Sequence, residues 1–415
     1  MTYILPKGTF KMHTNEMITV AEAEKIIQSQ VKTYGIESVP LESSVGRVLA
    51  ESLVADRDLP PFDRVTMDGI AIRFDAFEKG IRSFKIKATQ AAGEPSINIS
   101  EEDECIEIMT GAVLPESVDS VIRYEDIEIK DGMAIVNVES VKKGQNVHFK
   151  GEDKKQNDVV AFAPQVISPA LIGIAASIGK ETLSVKKLPR TVIISTGDEL
   201  VEVNETPTPY QIRRSNNYTI KAALQQYTLN ADMIHIPDDA EITRQQISRC
   251  LNEYDVILLS GGVSMGKFDY VPRVLEELSV QKYFHKVQQR PGKPFWFGAH
   301  SSATLVFAFP GNPVSTFMCL HRYFVPWLEA SLDIPSSSSY AILNGDISFD
   351  RPLQYFLQVK LQINDKGQLL ATPVDGKGSG DFANMLDADG FMELPAEKRT
   401  FKKGDVYKVW RCKSQ

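Results

Sequence analysis

The feature that most constrains the fold is an alternation of short apolar runs and helix-like segments between residues 191 and 328. Apolar runs typical of strands occupy residues 191–195, 231–236, 255–259 and 304–308. Helical spacing of apolar residues occurs at 217–227, 242–251 and 269–278, and another helix is expected to begin near Pro313. Strands that alternate with helices favour a parallel sheet covered by helices. We therefore predict an α/β domain here.

The remaining sequence predicts further domains, because 415 residues exceed a single hydrophobic core and suggest about three. Thr19 and Glu22 fit a capping box that begins a helix reaching about Tyr34. Strand-like runs follow at 105–109, 120–123 and 134–138, and Ser168 with Pro169 predicts the start of a helix that ends at Gly179. Residues 335–339 are typical of a linker, and a small all-β domain is expected beyond them.

Composition restricts the classes of function. The chain is 43% hydrophobic and 24% charged, as is usual for globular proteins, and it has no apolar run long enough to span a membrane. The first residues lack the pattern of a secretory signal, so we expect a cytoplasmic location without membrane attachment. A net charge of −8 and no basic stripe argue against nucleic acid as a partner. The four scattered cysteines are predicted to be packing residues.

Candidate binding residues follow the four predicted strands of the α/β domain, where ligands of open α/β sheets bind. The Gly261-Gly262 turn can bring backbone N–H groups close to an anion because neither residue has a Cβ. An ordinary turn is the alternative, but glycines and acids recur at several strand ends, which favours a ligand. The candidates are Gly197, Glu199, Asp238, Ser260, Gly261, Gly262, Ser264, Pro310, Gly311, Asn312 and Pro313.

A basic patch is predicted between residues 281 and 300, which contain no acidic residue. Its cations are Lys282, Lys286, Arg290 and Lys293. A solvated charged loop is the alternative, yet the rigid Pro291-Gly292 step favours an anionic ligand.

Carboxylates at the same strand ends could hold Mg²⁺ against phosphate oxygens. Glu199, Asp238 and Asp269 are the candidates. Helix capping is the alternative, above all for Asp269 at a predicted helix start. No zinc-type spacing of histidines occurs, so a zinc enzyme is not expected.

Several short motifs, in this order along nearly the whole chain, resemble the MoeA family of molybdopterin molybdenumtransferases, which includes the gephyrin E domain. The motifs are Pro61-Phe62-Asp63, Met67-Asp68-Gly69, Met109-Thr110-Gly111-Ala112, Gly151-Glu152-Asp153, Ser195-Thr196-Gly197-Asp198-Glu199-Leu200, Ser260-Gly261-Gly262-Val263-Ser264, Arg290-Pro291-Gly292-Lys293-Pro294 and Pro310-Gly311-Asn312-Pro313-Val314.

The resemblance implies a multidomain α/β fold with a MoaB/MogA-like molybdopterin-binding domain. On this plan residues 1–54 and 142–188 form a dimerisation domain, 55–141 a β insertion domain, 189–332 the molybdopterin-binding domain and 333–415 a C-terminal β-barrel. A homodimer with a composite active site is expected, in which Asp68 and Thr110 act on the other subunit's site.

The resemblance also implies a reaction: adenylylated molybdopterin is cleaved, AMP leaves, and molybdate is ligated by the pterin dithiolene to give molybdenum cofactor. Mg²⁺ would serve as the metal at Glu199 and Asp269, and a MogA-like adenylyltransferase would deliver the substrate. Whether Asp238 or Asp269 acts as a base or as a ligand stays open. The catalytic candidates are Asp68, Thr110, Asp238, Asp269, Lys286, Arg290 and Lys293, and Ser379 joins the binding residues.

Two positions depart from the family pattern. Arg290 stands where a lysine is usual. The positive charge is kept, but a planar guanidinium replaces a compact ammonium group. Gln358 stands where an arginine is usual, and Arg64 or Arg214 could compensate for that cation. A non-catalytic pterin-binding or scaffold paralogue is therefore the main alternative to an enzyme, and a nucleotide pyrophosphatase is the third.

Overall fold

The computed structural model describes residues 17–263, 270–335, 338–374, 376, 378, 380–381 and 383–413. Its contacts divide the chain into a larger unit, residues 1–38, 46–48 and 184–415, and a smaller unit, residues 39–45 and 49–183. The points at which the chain leaves one unit and enters the other lie in or next to three strands, Ile36–Pro40, Val48–Leu49 and Thr182–Lys186.

The smaller unit is built around a mixed β-sheet. Its strands lie in the order Ser120–Arg123, Gly69–Ile72, Glu104–Ile108, Ser83–Gln90, Met133–Val136 and Ile127–Lys130. The unit also contains strands Leu53–Val54, Arg64–Val65, Val147–His148, Val159–Ala161 and Gln165–Val166, helices Phe74–Glu78 and Pro169–Ser177, and 3₁₀ turns Leu41–Ser43 and Tyr124–Asp126. The three strands predicted from sequence in this region are confirmed within two residues.

The helix Pro169–Ser177 begins as predicted. The Ser168 hydroxyl accepts a hydrogen bond from the N–H of Leu171, and Pro169 occupies the first turn, where no N–H partner is needed. Gly179 follows with a φ of +74°, the left-handed conformation that commonly ends a helix.

The α/β part of the larger unit contains a mixed sheet. Its strands lie in the order Asp232–Ile236, Thr191–Thr196, Val256–Ser260, Leu305–Phe309, Trp296–Ala299 and Gln281–Phe284. The first four are parallel, as predicted. The last two, which the sequence analysis did not predict, are antiparallel. An antiparallel edge on an otherwise parallel sheet is common. This edge contributes the buried rings of Trp296 and Phe297 to the core.

Helices cover this sheet close to their predicted positions. They are Ser215–Gln225, Ala240–Glu253, Val271–Glu277, Pro313–Cys319 and Val325–Ser331, with a π-helical segment Leu320–Phe324 before the last, and a parallel strand pair Leu200–Val201 and Ile212–Arg213 beside them. The N-terminal helix Val20–Gln28 has the predicted Thr19–Glu22 capping box but ends earlier than Tyr34. The Gln30 carbonyl instead accepts a hydrogen bond from the Trp327 indole N–H, 3.1 Å away.

The C-terminal part is the expected β-barrel. Its strands lie in the order Gln354–Ile363, Leu369–Pro373, Ser339–Leu343, Val406–Arg411 and Gly390–Leu394, and the last pairs with the first to close the barrel. A short pair, Ile347–Ser348 with Thr400–Phe401, and a 3₁₀ turn Ala383–Met385 complete it. The strand Gln289–Arg290 of the basic patch pairs with the start of Gln354–Ile363, which ties the barrel to the α/β part.

Buried apolar side chains form the hydrophobic core of the larger unit. Phe295, Phe297, Phe307 and Trp327 belong to one apolar cluster of the larger unit, and Phe297 and Phe307 lie 4.7 Å apart between ring centroids. All four cysteines are free and buried, as expected of packing residues. Within the described residues, no helix has the length and apolarity that crossing a membrane requires.

Candidate functional site

The strand-end turns of the α/β part converge, as predicted. Gly261 and Gly262 both have positive φ, +98° and +69°. A Cβ on Gly262 would lie 2.7 Å from Thr196 Oγ1 and 2.8 Å from Val271 Cγ2, so this turn can hold only glycine without a shift of its neighbours. The N–H of Gly261 donates to the Phe309 carbonyl. Within the described part of this turn, the N–H groups of Gly262 and Val263 are therefore the candidates for binding an anion.

Asn216, which the sequence analysis missed, links two of these turns. Its side-chain amide donates to the Ser260 hydroxyl and to the Gly311 carbonyl, both at 2.8 Å. Asn216 lies in the first turn of helix Ser215–Gln225, and nothing in its local sequence distinguishes it from a solvent-facing polar residue. The hydrogen bonds fix Gly311 close to the glycine turn, where a Cβ on Gly311 would lie 3.5 Å from Gly261 Cα.

Two carboxylates face each other at the next strand ends. The N–H of Asp238 donates to Asp198 Oδ1 at 3.0 Å, and the N–H of Asp198 donates to Asp238 Oδ2 at 3.4 Å. These side chains are exposed, and so is Glu199 beside them. Gly197 precedes them with a φ of +132°. The reciprocal bonds join the turns after strands Thr191–Thr196 and Asp232–Ile236 and keep both carboxylates at the sheet edge.

The basic loop 289–294 is held from beneath by buried polar groups. The Gln289 amide donates to the Gly292 carbonyl at 2.8 Å, and its carbonyl oxygen accepts a hydrogen bond from the Tyr323 hydroxyl. Gly292 has a φ of +86°, and a Cβ there would lie 2.7 Å from Cys319 Sγ. Burial raises the pKa of Tyr323 well above its usual value, so the hydroxyl remains a donor at neutral pH.

This loop forms one wall of a cavity of about 660 Å³. Arg290 and Lys293 line it, together with Pro310 and Asn312 from the strand-end turn. The structure thus brings two of the predicted cations and two of the predicted binding residues into one site. The remaining wall comes from the barrel.

Arg351 is a third cation of the cavity that the sequence analysis did not identify. It lies about sixty residues beyond Arg290, so only the pairing of strand Gln289–Arg290 with Gln354–Ile363 brings the two together. No carboxylate belongs to the described lining of the cavity. Three cations with no carboxylate among the described lining residues favour an anionic ligand.

Gln358, the position where the family usually has an arginine, lines the same cavity as Arg290 and Lys293. The residue is 9% exposed, and its side-chain Nε2 is buried without a hydrogen-bond partner among the described residues. An unsatisfied buried N–H donor is rare and is a candidate for binding a ligand.

The other two predicted cations lie outside the cavity lining. Lys282 belongs to the edge strand Gln281–Phe284. Lys286 is half-buried, and its backbone carbonyl accepts from the N–H of Ile18. Its neighbour His285 contacts the Val263 carbonyl through Nε2 at 2.8 Å, and Lys286 is not among the described residues that line the cavity.

The two proposed compensating arginines are engaged elsewhere. Arg214 is paired with Glu202 beside the short strand pair and is not among the cavity residues. Arg64 lies in the smaller unit, with its guanidinium 3.1 Å from His148 Nδ1.

Asp68 and Thr110, which belong to two different motifs of the sequence, meet in the smaller unit. Asp68 Oδ1 accepts hydrogen bonds from the Thr110 N–H at 2.6 Å and the Thr110 hydroxyl at 2.7 Å. These bonds lower the pKa of Asp68, so the exposed carboxylate stays ionised at neutral pH.

Three predicted site residues, Ser264, Asp269 and Ser379, lie outside the described residues. In the part of the chain that is described, no cluster of three or more potential metal ligands occurs. Mg²⁺ is usually held by one or two carboxylates plus water and substrate phosphates, and the carboxylates of Asp198 and Asp238 are exposed at one sheet edge.

The fold and this site define a multidomain α/β protein with a cationic cavity beside the strand-end turns of its mixed sheet. Residues 18–179 match the MoeA N-terminal region (domains I and II), 192–330 a probable molybdopterin binding domain, and 340–411 the MoeA C-terminal region (domain IV). The chain belongs to the MoeA family. Membership makes it an enzyme, a transferase of molybdenum cofactor biosynthesis.

Similar proteins agree over nearly the whole length. The chain is 41% identical over 394 residues to a molybdopterin molybdenumtransferase of Synechocystis, covering 94% of this chain and 99% of that protein. It is 31% identical over 401 residues to a Staphylococcus aureus protein of the same name, with coverage of 94% and 95%. A crystal structure of a molybdopterin biosynthesis MoeA protein from Pyrococcus horikosii is similar with a TM-score of 0.80 at 29% identity, covering 96% and 100%.

Proposed function

We propose that the chain inserts molybdate into adenylylated molybdopterin with release of AMP, in a Mg²⁺-dependent reaction that yields molybdenum cofactor. The observation that carries this proposal is the cavity in which Arg290, Lys293 and Arg351 face a common space without a described carboxylate. The cavity adjoins the Pro310-Gly311-Asn312 turn, and this turn packs against the Gly261-Gly262 turn. An oxyanion and a phosphorylated pterin could therefore be bound side by side.

The residues divide into two roles on this proposal. The amides after Gly261 bind the pterin phosphate groups, because glycine allows close approach of the backbone. Arg290 and Lys293 hold molybdate and stabilise negative charge that develops near it, and Lys286 acts from the adjoining turn. Asp238 keeps its carboxylate at the sheet edge through the bonds with Asp198.

Mg²⁺, when bound, would neutralise phosphoanhydride charge in the manner of other phosphate-cleaving sites. Glu199 and Asp238, with Asp269, supply the carboxylates of the proposed site. The mechanism requires no covalent nucleophile from the protein.

The active form is proposed to be a homodimer in which a second copy contributes Asp68 and Thr110. Their hydrogen-bonded pair supports a joint role, because two bonds from one residue fix the carboxylate in one orientation. The proposal includes a cytoplasmic location and delivery of the substrate by a MogA-like adenylyltransferase.

A non-catalytic pterin-binding paralogue is the second candidate function, and Gln358 is the observation that favours it. A neutral amide in the cavity weakens attraction for a dianion compared with an arginine. Arg351, at the rim of the same cavity, argues against this candidate because the site retains three cations.

The deciding experiment measures AMP release from adenylylated molybdopterin by the full-length chain, with and without molybdate, in Mg²⁺ and after chelation. We expect release that requires both molybdate and Mg²⁺. Tight binding of the substrate without molybdate-dependent release would replace the transferase proposal with the binding paralogue.

A pair of neighbouring variants tests the carboxylates. Asp238→Asn should lose most AMP release, and higher Mg²⁺ should partly restore it. Asp239→Asn is the matched control, since Asp239 caps helix Ala240–Glu253 and asparagine caps equally well. Equal loss in both variants would show that the effect is structural.

A further inference from the structure

Two neighbouring residues of the π-helical segment Leu320–Phe324 are bonded to the two segments that form the cavity walls. The Tyr323 hydroxyl donates to Gln289 beneath the basic loop. Arg322, which precedes it, is 3% exposed and forms an ion pair with a carboxylate of the barrel. A charged side chain is rarely buried to this extent without a specific partner, and π-helical segments occur often at functional sites.

The barrel partner of Arg322 is Glu393, on the strand Gly390–Leu394. Arg322 Nε lies 3.3 Å from Glu393 Oε2, and the guanidinium lies 4.3 Å from the ring centroid of Trp410 on the neighbouring barrel strand. The Trp410 indole N–H donates to Glu393 Oε2 at 2.6 Å. Arg322 Nη2 also pairs with Glu24 of the N-terminal helix, at 2.7 Å. Arg322 thus connects the N-terminal helix to the barrel.

Glu393 also bonds to the strand that forms the barrel wall of the cavity. Its Oε1 accepts a hydrogen bond from Gln354 Nε2 at 3.0 Å. Gln354 is the first residue of its strand, and its backbone N–H donates to the Gln288 carbonyl at 2.9 Å. Leu353 and Tyr355, on either side of Gln354 in the chain, line the cavity. The bond to Glu393 therefore holds the beginning of this wall.

These contacts form a closed circuit around the cavity walls. From Arg322 the circuit runs through Glu393 to Gln354. Gln354 pairs with Gln289, and the Tyr323 hydroxyl connects Gln289 to the residue next to Arg322. The strand pairing between the basic loop and the barrel is only two residues long, so by itself it resists separation weakly. Glu393 supplies a second connection beside it.

We propose that Glu393 is a positioning residue, which through its ion pair with Arg322 and its bond to Gln354 holds the barrel wall at a fixed distance from the basic loop. This inference rests on the proposed function, in which Arg290 and Lys293 of that loop hold molybdate. Glu393 is not among the described residues that line the cavity, so it acts through the walls. An arginine–carboxylate pair suits this role because its charge-assisted contacts have a defined geometry.

Stability and position can be separated at this pair. Removing the charge of Glu393 alone leaves Arg322 buried without its barrel partner, which destabilises the fold. Removing both charges leaves no buried charge uncompensated, and a buried pair replaced by uncharged side chains of similar volume is often as stable as the original. Methionine at position 322 also keeps a favourable contact with the Trp410 ring. In such a double variant only the connection to the barrel wall is missing.

The test compares Glu393→Gln with the double variant Arg322→Met, Glu393→Gln in the full-length chain. Both should raise the molybdate KM of AMP release by about tenfold, because the walls are displaced, with little change in kcat or in the Kd of the pterin nucleotide. The urea-unfolding midpoint should fall in the single variant and return close to the wild-type value in the double variant. Asp405→Asn is the matched control and should leave KM unchanged, because the Asp405 carboxylate also has three donor partners but all of them belong to the barrel.

Hydrogen exchange, followed by mass spectrometry of the peptide that contains Gln354, gives a readout that does not need the reaction. The Gln354 N–H should exchange faster in both Glu393 variants and not in Asp405→Asn, since its bond to the Gln288 carbonyl is held less firmly. A wild-type KM in the double variant, or wild-type exchange of this N–H, would overturn the proposal and leave the pair a stabilising contact only. Faster exchange in the variants of a chain whose wild type releases no AMP would contradict the proposed function and leave the hold on the barrel wall supported.

Discussion

The strand-end turns and the cationic cavity adjoin each other but are built in opposite ways. The turns place Gly261, Gly262 and Gly311 within a few ångströms through backbone geometry and the amide of Asn216. The cavity relies on charged side chains from two distant segments, the loop with Arg290 and the barrel entry with Arg351. If the proposed function holds, the difference means that phosphate binding at the turns depends on close packing, whereas oxyanion binding in the cavity depends on the charge of side chains.

The largest effect is expected in the turns. Gly262→Ala should destabilise the chain by about 3 kcal/mol, because the new Cβ meets Thr196 and Val271 and the backbone is left-handed. The urea-unfolding midpoint measures this change.

Gly404→Ala is the control for backbone strain alone. Gly404 has a φ of +98°, but a Cβ there would have nothing within 4 Å. The control should lose roughly 1 kcal/mol. If the two variants were equally destabilised, close packing would not distinguish the glycine turn.

The next effect is expected in the cavity and should leave stability intact. Lys293→Gln should raise the molybdate KM by about thirtyfold, since a charged hydrogen bond contributes about 2 kcal/mol. Its affinity for the pterin nucleotide should change little. Steady-state kinetics with varied molybdate, together with nucleotide-binding calorimetry, separates the two sites, and an equal loss in both would remove the proposed division of roles.

A smaller effect tests the support beneath the basic loop. Tyr323→Phe leaves the buried Gln289 oxygen without its donor and should reduce the free energy of unfolding by about 1 kcal/mol. It should also raise the molybdate KM, because Gln289 holds the Gly292 carbonyl.

Tyr227→Phe is the matched control, since the Tyr227 hydroxyl donates to Glu329 at 2.8 Å and neither residue lines the cavity. It should lose stability without a change in KM. A KM change of the same size in both variants would mean that the loop does not depend on Tyr323.

The smallest expected effect is a pH dependence of the free energy of unfolding, which arises at the strand-end turns. Burial, then the charge of Arg214, lowers the pKa of His235, which contacts the Ser195 hydroxyl at 3.1 Å. The folded state therefore binds fewer protons than the unfolded state just below the usual pKa of about 6.5, and stability falls as the pH drops through this value.

Urea unfolding of the wild type and His235→Asn between pH 7.5 and 5.5 measures this contribution. The variant should lose less stability than the wild type over this range. His235 is not among the described residues that line the cavity, so tungstate affinity should not follow the same curve. Parallel pH curves for wild type and variant would exclude His235 as the cause.

Much of the α/β part could be predicted from sequence because its signals are local. The apolar runs at 191–195 and 255–259 form strands as predicted, and a helix begins at the predicted capping box of Thr19. The antiparallel strand Trp296–Ala299 was missed because a basic, proline-containing segment surrounds it and only its buried aromatic residues reveal it.

The candidate site could also be predicted only where its signals are local in sequence. Glycines after strands are visible in sequence, so the convergence of Gly261 and Gly311 was predicted correctly. Arg351 was not, because an exposed arginine before a strand has no local mark and gains its role only when the barrel strand pairs with Gln289–Arg290. Asn216 was missed for a similar reason, since its hydrogen-bond partners lie far away in sequence.

The most direct test of the central claim locates a heavy oxyanion in crystals of the full-length chain grown with tungstate. The account predicts an anomalous peak in the cavity, within contact distance of Arg290 and Lys293. A peak at the Gly261-Gly262 turn, with none in the cavity, would contradict the division of the site into a pterin-phosphate edge and an oxyanion cavity.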